Sequence, residues 1–199
     1  MRFTISICLI ATCGLLDSGC VDSRPIHYYT IATPSAPVTR NAHGGPIVLV
    51  GNISTPPELA DGRIHYRVGA NEVGAYQFHR WIERPEVMVR TSLAQALRTS
   101  GKYRAVLEST SSTTGDYVLR GRLFEFDEVD RDTIQTMISL RVDLEDLKTR
   151  RIVWDDVFQR DEPVSNRNVS EVVQSLDRNL RAVANETAAG IDKFLAGLH

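Results

Sequence analysis

Residues 134–147 read Ile134-Gln135-Thr136-Met137-Ile138-Ser139-Leu140-Arg141-Val142-Asp143-Leu144-Glu145-Asp146-Leu147. Ile138, Leu140, Val142 and Leu144 alternate with Ser139, Arg141, Asp143 and Glu145. Extended backbone turns successive side chains to opposite faces, so this order predicts a strand with one dry and one wet face. Lys148 to Arg151 supply a turn, and Ile152, Trp154 and Phe158 begin the return, which makes the pair a long antiparallel hairpin. Downstream, Asn168 and Glu171 stand in a capping-box arrangement. Val172, Leu176, Leu180, Val183, Thr187, Ile191 and Leu195 then form one stripe of a helix on the order of 45 Å long at 1.5 Å per residue. A helix of that length is expected to lie across the sheet with its end projecting.

Upstream of the hairpin, Ile47 to Ile53 is an apolar, β-branched run that stops at Pro56-Pro57, where no N–H is available to continue a ladder. Ile64 to Val68 and Glu72 to Phe78 read as two short strands with turn chemistry at Gly69 and Asn71. Pro85 suits the first position of a helix, Val89, Leu93, Ala96 and Leu97 follow at helical spacing, and Gly101 provides a left-handed stop. Tyr103 to Leu107 and Tyr117 to Val129 are further strands. The second changes phase near Leu123-Phe124, which predicts a bulge that carries Phe124 and Phe126 to the side of Leu123's neighbours. The fold class expected is mixed α+β: a mixed, partly antiparallel sheet with two main helices packed on it. At 199 residues there is room for one core.

The N-terminus reads as an address. Arg2 precedes an apolar run from Phe3 to Leu16, shorter than the roughly 20 residues a helix needs to cross a bilayer. It ends in Leu16-Asp17-Ser18-Gly19-Cys20, which resembles the lipobox of bacterial lipoproteins, where small residues precede a cysteine that is diacylated before cleavage. Gly19 and Ser18 fit, whereas Asp17 stands where leucine or another uncharged residue is usual and is expected to slow processing. Residues 1–19 are therefore read as a lipoprotein signal peptide cleaved between Gly19 and Cys20, with Cys20 as the lipidation site. The competing readings are an ordinary cysteine after a conventional signal peptide, and an uncleaved anchor. Val21 is not the aspartate that marks inner-membrane retention in enteric bacteria, so a palmitate-bearing Cys20 would place the chain at the outer membrane, facing the periplasm. Residues 20–46 hold the lipidated N-terminus, the β-prone Tyr28 to Ile31, and a Pro-, Ala-, Thr- and Gly-rich tether from Ala32 to Pro46. Residues 47–199 form the body.

Cys8, Cys13 and Cys20 are the three cysteines. The body has none, so it forms no internal disulfide and offers no thiol nucleophile. The net charge of −2 and arginines scattered among acids give no footprint for nucleic acid. His27, His43, His65, His79 and His199 fall in separate segments without the i, i+4 spacing of a helical metal site. No G-x-S-x-G turn or phosphate-cradling glycine loop occurs. Asp155-Asp156 and Asp161-Glu162 are adjacent on a strand and point apart, so they read as solvated charge rather than a catalytic dyad. Trp81, near Tyr76, Phe78 and His79, either closes the core beneath the first helix or forms an exposed aromatic patch, and packing is the more common fate. No catalytic residue, cofactor or metal is assigned.

Several short features recur in one order: Tyr28-Tyr29-Thr30-Ile31 soon after Cys20; Pro57-Glu58-Leu59 leading to Arg63-Ile64-His65-Tyr66-Arg67; and Tyr76 and Arg80-Trp81 before the first helix. Asp116-Tyr117-Val118-Leu119, Phe124-Glu125, and Trp154 ahead of Glu162-Pro163 complete the series. In order and spacing they resemble the ABC-type transport auxiliary lipoprotein family, over most of the body. The resemblance implies an accessory role without an active site, beside an MCE-domain protein and an ABC permease and ATPase that move lipids between membranes, and it allows assembly into homo-oligomeric rings. Two other classes remain: a structural or regulatory envelope lipoprotein acting on cell-wall machinery, and a tethered hydrolase.

Overall fold

A computed structural model of the chain describes residues 24–32, 44–69, 71–110, 112–131, 133–165 and 168–198. Strands β1 (His27–Tyr29), β2 (Ile47–Ser54), β3 (Arg63–Val68) and β4 (Glu72–Trp81) precede helix α1 (Pro85–Ser100). Strands β5 (Ala105–Glu108), β6 (Tyr117–Asp130), β7 (Ile134–Asp146) and β8 (Arg151–Pro163) lead to helix α2 (Val169–Ala196). The expected class holds: one sheet, partly parallel and partly antiparallel, carries both helices.

The alternation read in residues 134–147 is realised in β7, where Ile138, Leu140, Val142 and Leu144 are fully buried. β7 pairs antiparallel with β6 on one side and with β8 on the other, along nearly its whole length. The opposite edge of β6 is shared. β2 lies parallel to its first half, from Val48 against Tyr117 to Ser54 against Arg122. β3 lies parallel to its second half, from His65 against Asp127 to Val68 against Asp130. The sheet thus forks at β6: β5 extends one prong beyond β2, and β4 and then β1 extend the other beyond β3.

The bulge lies at the fork, between Leu123 and Glu125, leaving Phe124 as the extra residue. An extra residue reverses the alternation, and the buried positions accordingly pass from Leu119 and Leu123 to Phe126. Phe126 joins the core as expected, but Phe124 stays exposed, because the bulged residue itself has no cross-strand partner to hold it inward.

Both helices cover one face of the sheet, α1 over β2 and β5 and α2 over β7 and β8, and they pack against each other. Gly101 ends α1 with a positive φ of 68°, and the Asn168 side chain accepts the Glu171 N–H at 2.9 Å to start α2. The expectation that the end of α2 projects is corrected: its stripe is buried through Ile191 to Leu195, because α1 lies alongside it. Near that end Gly190 faces Trp154 of β8, and a Cβ there would meet the indole at 2.8 Å, so glycine permits the close approach of helix and sheet. In the N-terminal half of α2 the buried Ser175 and Asn179 side chains both hydrogen-bond the Thr136 hydroxyl, which fixes the helix on β7.

Candidate functional site

Gly19, Cys20, His43, His199 and all but the last three residues of the 32–46 tether fall outside the described residues, apart from Ala32. The chain is described from Arg24 and enters the sheet at His27. His27 stands seven positions after Cys20, a reach of at most about 25 Å, so an acyl group on Cys20 would keep the β1 side of the fold near a bilayer.

That prong gathers residues scattered through the sequence. β1 pairs parallel with β4, setting His27 against His79 and Tyr29 against Trp81. The His27 and His79 rings stack with centroids 5.2 Å apart, and the Tyr29 hydroxyl lies 2.9 Å from His79 Nδ1. Tyr76 meets His79 edge-on, and its hydroxyl donates to Glu128 Oε2 at 2.7 Å. Burial, with the His27 charge beside it, holds the His79 pKa below the usual imidazole value. Trp81 is buried and packs on Phe126 with ring centroids 5.5 Å apart, so it closes the core and forms no exposed patch.

A second polar cluster is built on β3 and β6. His65 is buried, with Nε2 2.9 Å from Asp61 Oδ1 and Nδ1 without a hydrogen-bond partner. Arg67 Nε donates to Asp127 Oδ2 at 2.5 Å, while the other oxygen of this fully buried carboxylate is unbonded. Burial pushes the Asp127 pKa up to about 6 against the pull of Arg67. Asp61 behaves oppositely: burial pushes it up, but hydrogen bonds from His65 and Arg63 prevail and hold it at about 2.

The sign for Asp127 follows from its raised value. An unfolded aspartate titrates near about 3.9, so between about pH 4 and 6 the folded chain binds the proton more tightly, and this group's contribution falls as pH rises through that window. Asp127→Asn is expected to remove that decline, worth at most about 3 kcal/mol, from the difference in unfolding free energy between pH 4 and pH 7. Urea titrations of both proteins at several pH values check it, and an unchanged pH profile would show that Asp127 titrates normally. The depressed His79 acts in the other direction, its contribution being lost as pH falls through the ordinary imidazole range.

At the other prong, a cavity of about 690 Å³ opens beside Pro46 between the C-terminal ends of the two helices. The buried Tyr103 hydroxyl donates to Asp192 Oδ1 at 2.5 Å and Lys102 Nζ lies 3.3 Å from Oδ2, which ties the exit of α1 to α2. Burial, reinforced by Asp192, pushes the Tyr103 pKa up and keeps the phenol a donor.

These arrangements bind protons and order charge. Among the described residues no serine, threonine or cysteine side chain hydrogen-bonds to His27, His65 or His79, and no three His, Cys, Asp or Glu side chains are placed around a common metal position. Asp155, Asp156 and Asp161 are exposed, Asp155 facing Arg141 across 3.5 Å, and Glu162 is paired with Arg178, in keeping with their reading as solvated charge. No described helix is long and apolar enough to cross a membrane. The His27–His79 stack escaped the spacing test because 52 positions of sequence are closed by a parallel pairing of β1 on β4, which local periodicity does not encode.

The forked sheet with two helices on one face defines a known class of domain. Protein XCC0632 of Xanthomonas campestris shares it with a TM-score of 0.75 at 20% identity, over 86% of this chain and 99% of that one. A second solved structure, of an uncharacterized protein, matches with a TM-score of 0.66 at 15% identity, over 84% and 99% of the two chains. A search of the curated proteins finds no relative. The model of the ABC-type transport auxiliary lipoprotein component matches residues 29–188, and the chain belongs to that family. The matched span starts at Tyr29 in β1 and so includes the polar clusters of β3, β4 and β6.

Proposed function

We propose that the chain is a lipid-anchored, periplasm-facing docking component of an MCE-type lipid transport system, held at the outer membrane through an acylated Cys20 and performing no bond chemistry itself. The family match over residues 29–188 carries this reading, since it ties the chain to ABC-type transport as an auxiliary lipoprotein. The clusters described above add ordered charge and aromatic rings within the matched span. Cys20, at the end of a short apolar run, supplies the anchor.

The test is a crosslinking pull-down of the full-length protein extracted from membranes, with the crosslinked partners identified by mass spectrometry. Recovery of an MCE-domain protein together with an ABC permease or ATPase is the expected result. Recovery of cell-wall synthases or hydrolases with no MCE-domain protein would overturn the transport reading in favour of a role in wall assembly.

A further inference from the structure

On the face of the sheet away from the helices, a groove of about 540 Å³ lies at the fork, where β2 leaves β6 and the Phe124 bulge interrupts the ladder. Arg120 and Arg122 from β6 and Arg141 from β7 line it, with Asn52 of β2 at one side and the exposed Phe124 ring at the other. The hairpin register sets Arg122 directly opposite Arg141. Two like charges facing each other across antiparallel strands repel, so this pairing is unfavourable unless something neutralises it.

Neighbouring carboxylates do so only in part. Arg120 pairs with Glu145, but Glu145 is also bound by Arg150 at 3.1 Å. Arg141 reaches Asp155 at 3.5 Å, with both side chains about half exposed. Arg122 has no carboxylate within ion-pair distance among the described residues, and its guanidinium lies over the Phe124 ring, 5.3 Å from the centroid. One carboxylate, Asp143, lines the groove against three guanidiniums. Stacking on Phe124 restricts the Arg122 fork before any ligand arrives, which lowers the ordering cost of binding.

We propose that this groove binds a phosphate group, with Arg122 and Arg141 bridging its oxygens from the two strands and Arg120 adding charge from one side. Guanidiniums present flat forks of N–H donors that match the edges of a tetrahedral oxyanion, and convergence of several on one anion offsets the repulsion built into the strand pairing. The Phe124 ring and Val157, exposed on β8 opposite Arg141, give the groove an apolar margin on which the rest of a phosphate ester could rest. The assignment stands whether or not the chain serves lipid transport, since it rests on the residues of the groove alone.

The experiment is calorimetric titration of the full-length protein, extracted in a neutral detergent, with three probes: inorganic phosphate, dihexanoyl phosphatidylglycerol and dihexanoyl phosphatidylcholine. Arg122→Gln and Arg141→Gln are each expected to weaken binding about tenfold, whereas Lys148→Gln, which removes the same charge at the hairpin turn outside the groove, leaves it unchanged. Arg122→Lys, which keeps the charge and loses the fork, should fall between, and reads the site independently should a glutamine variant fail to fold. Phosphatidylglycerol binding more tightly than inorganic phosphate would identify a lipid headgroup as the source; inorganic phosphate binding at least as tightly would identify a soluble anion. No binding of inorganic phosphate or of either lipid, or binding indifferent to Arg122 and Arg141, would overturn the proposal.

Discussion

Replacing Cys20 with serine abolishes incorporation of labelled palmitate and eliminates the mature form that begins at residue 20, if the proposed anchor is correct. The thiol is the acceptor of the diacylglyceryl group, and lipoprotein cleavage follows that modification, so one atom controls both events. The same substitution removes the acyl chains that would hold the mature chain at a bilayer. Each acyl CH₂ buried contributes about 0.8 kcal/mol, so several long chains together hold a protein far more firmly than the marginal grip of one myristoyl group. Metabolic labelling with intact-mass measurement reads the result, and continued labelling or cleavage at Gly19–Cys20 in the serine variant would refute the anchor. Asp17→Leu is expected to act in the opposite direction and raise the processed fraction, since the aspartate is the one departure from the small and apolar pattern before the cysteine.

Phe126→Ala is expected to cost about 3 to 5 kcal/mol of stability, the range for truncating a fully buried phenylalanine. Phe126 is among the largest side chains wholly removed from water, and it packs against Trp81 just past the bulge that separates the two prongs. The cavity would open where the β3 and β2 prongs share β6, a junction that backbone ladders on both sides hold apart and that can collapse only partly. Urea unfolding followed by tryptophan fluorescence measures the loss. A cost below about 1 kcal/mol would mean that the junction closes over the missing ring and that the two prongs are less rigidly joined than the packing indicates.

Much of the fold was legible because local physics and the final structure agree. The period-two pattern of residues 138–145 admits only a half-buried strand, and it became β7 with each apolar side chain inside. Pro85, Gly101 and Asn168 announced helix boundaries through properties of single residues: a missing N–H, tolerance of positive φ, and a short acceptor side chain. The phase change near Leu123 revealed the bulge, since only an inserted residue can reverse an alternation within one strand. It could not reveal that Phe124 would remain outside, because that depends on what lies across from the bulge. The length of β4 was also underread: its last residues stay extended because β1 pairs with them from far upstream.

The candidate sites were scarcely visible. The Asp61, His65, Arg67 and Asp127 cluster joins β3 to a strand some 60 positions later through parallel pairing. The arginine groove depends on the register of β6 against β7, which sets Arg122 opposite Arg141. In the sequence both sets appear as ordinary charged residues on wet faces.

What the sequence determined by itself was the type of each element, because hydrophobic period and capping are local properties of a few adjacent residues, and the proposed anchor rests in the same local way on the run before Cys20. The tertiary structure alone decided that two strands share one edge of β6, that Asp127 is buried beside a single arginine, and that three guanidiniums meet at the fork. Those outcomes follow from strand order and register, which are set by the burial of one common core and by contacts between residues distant in the chain, and no window of sequence contains both partners.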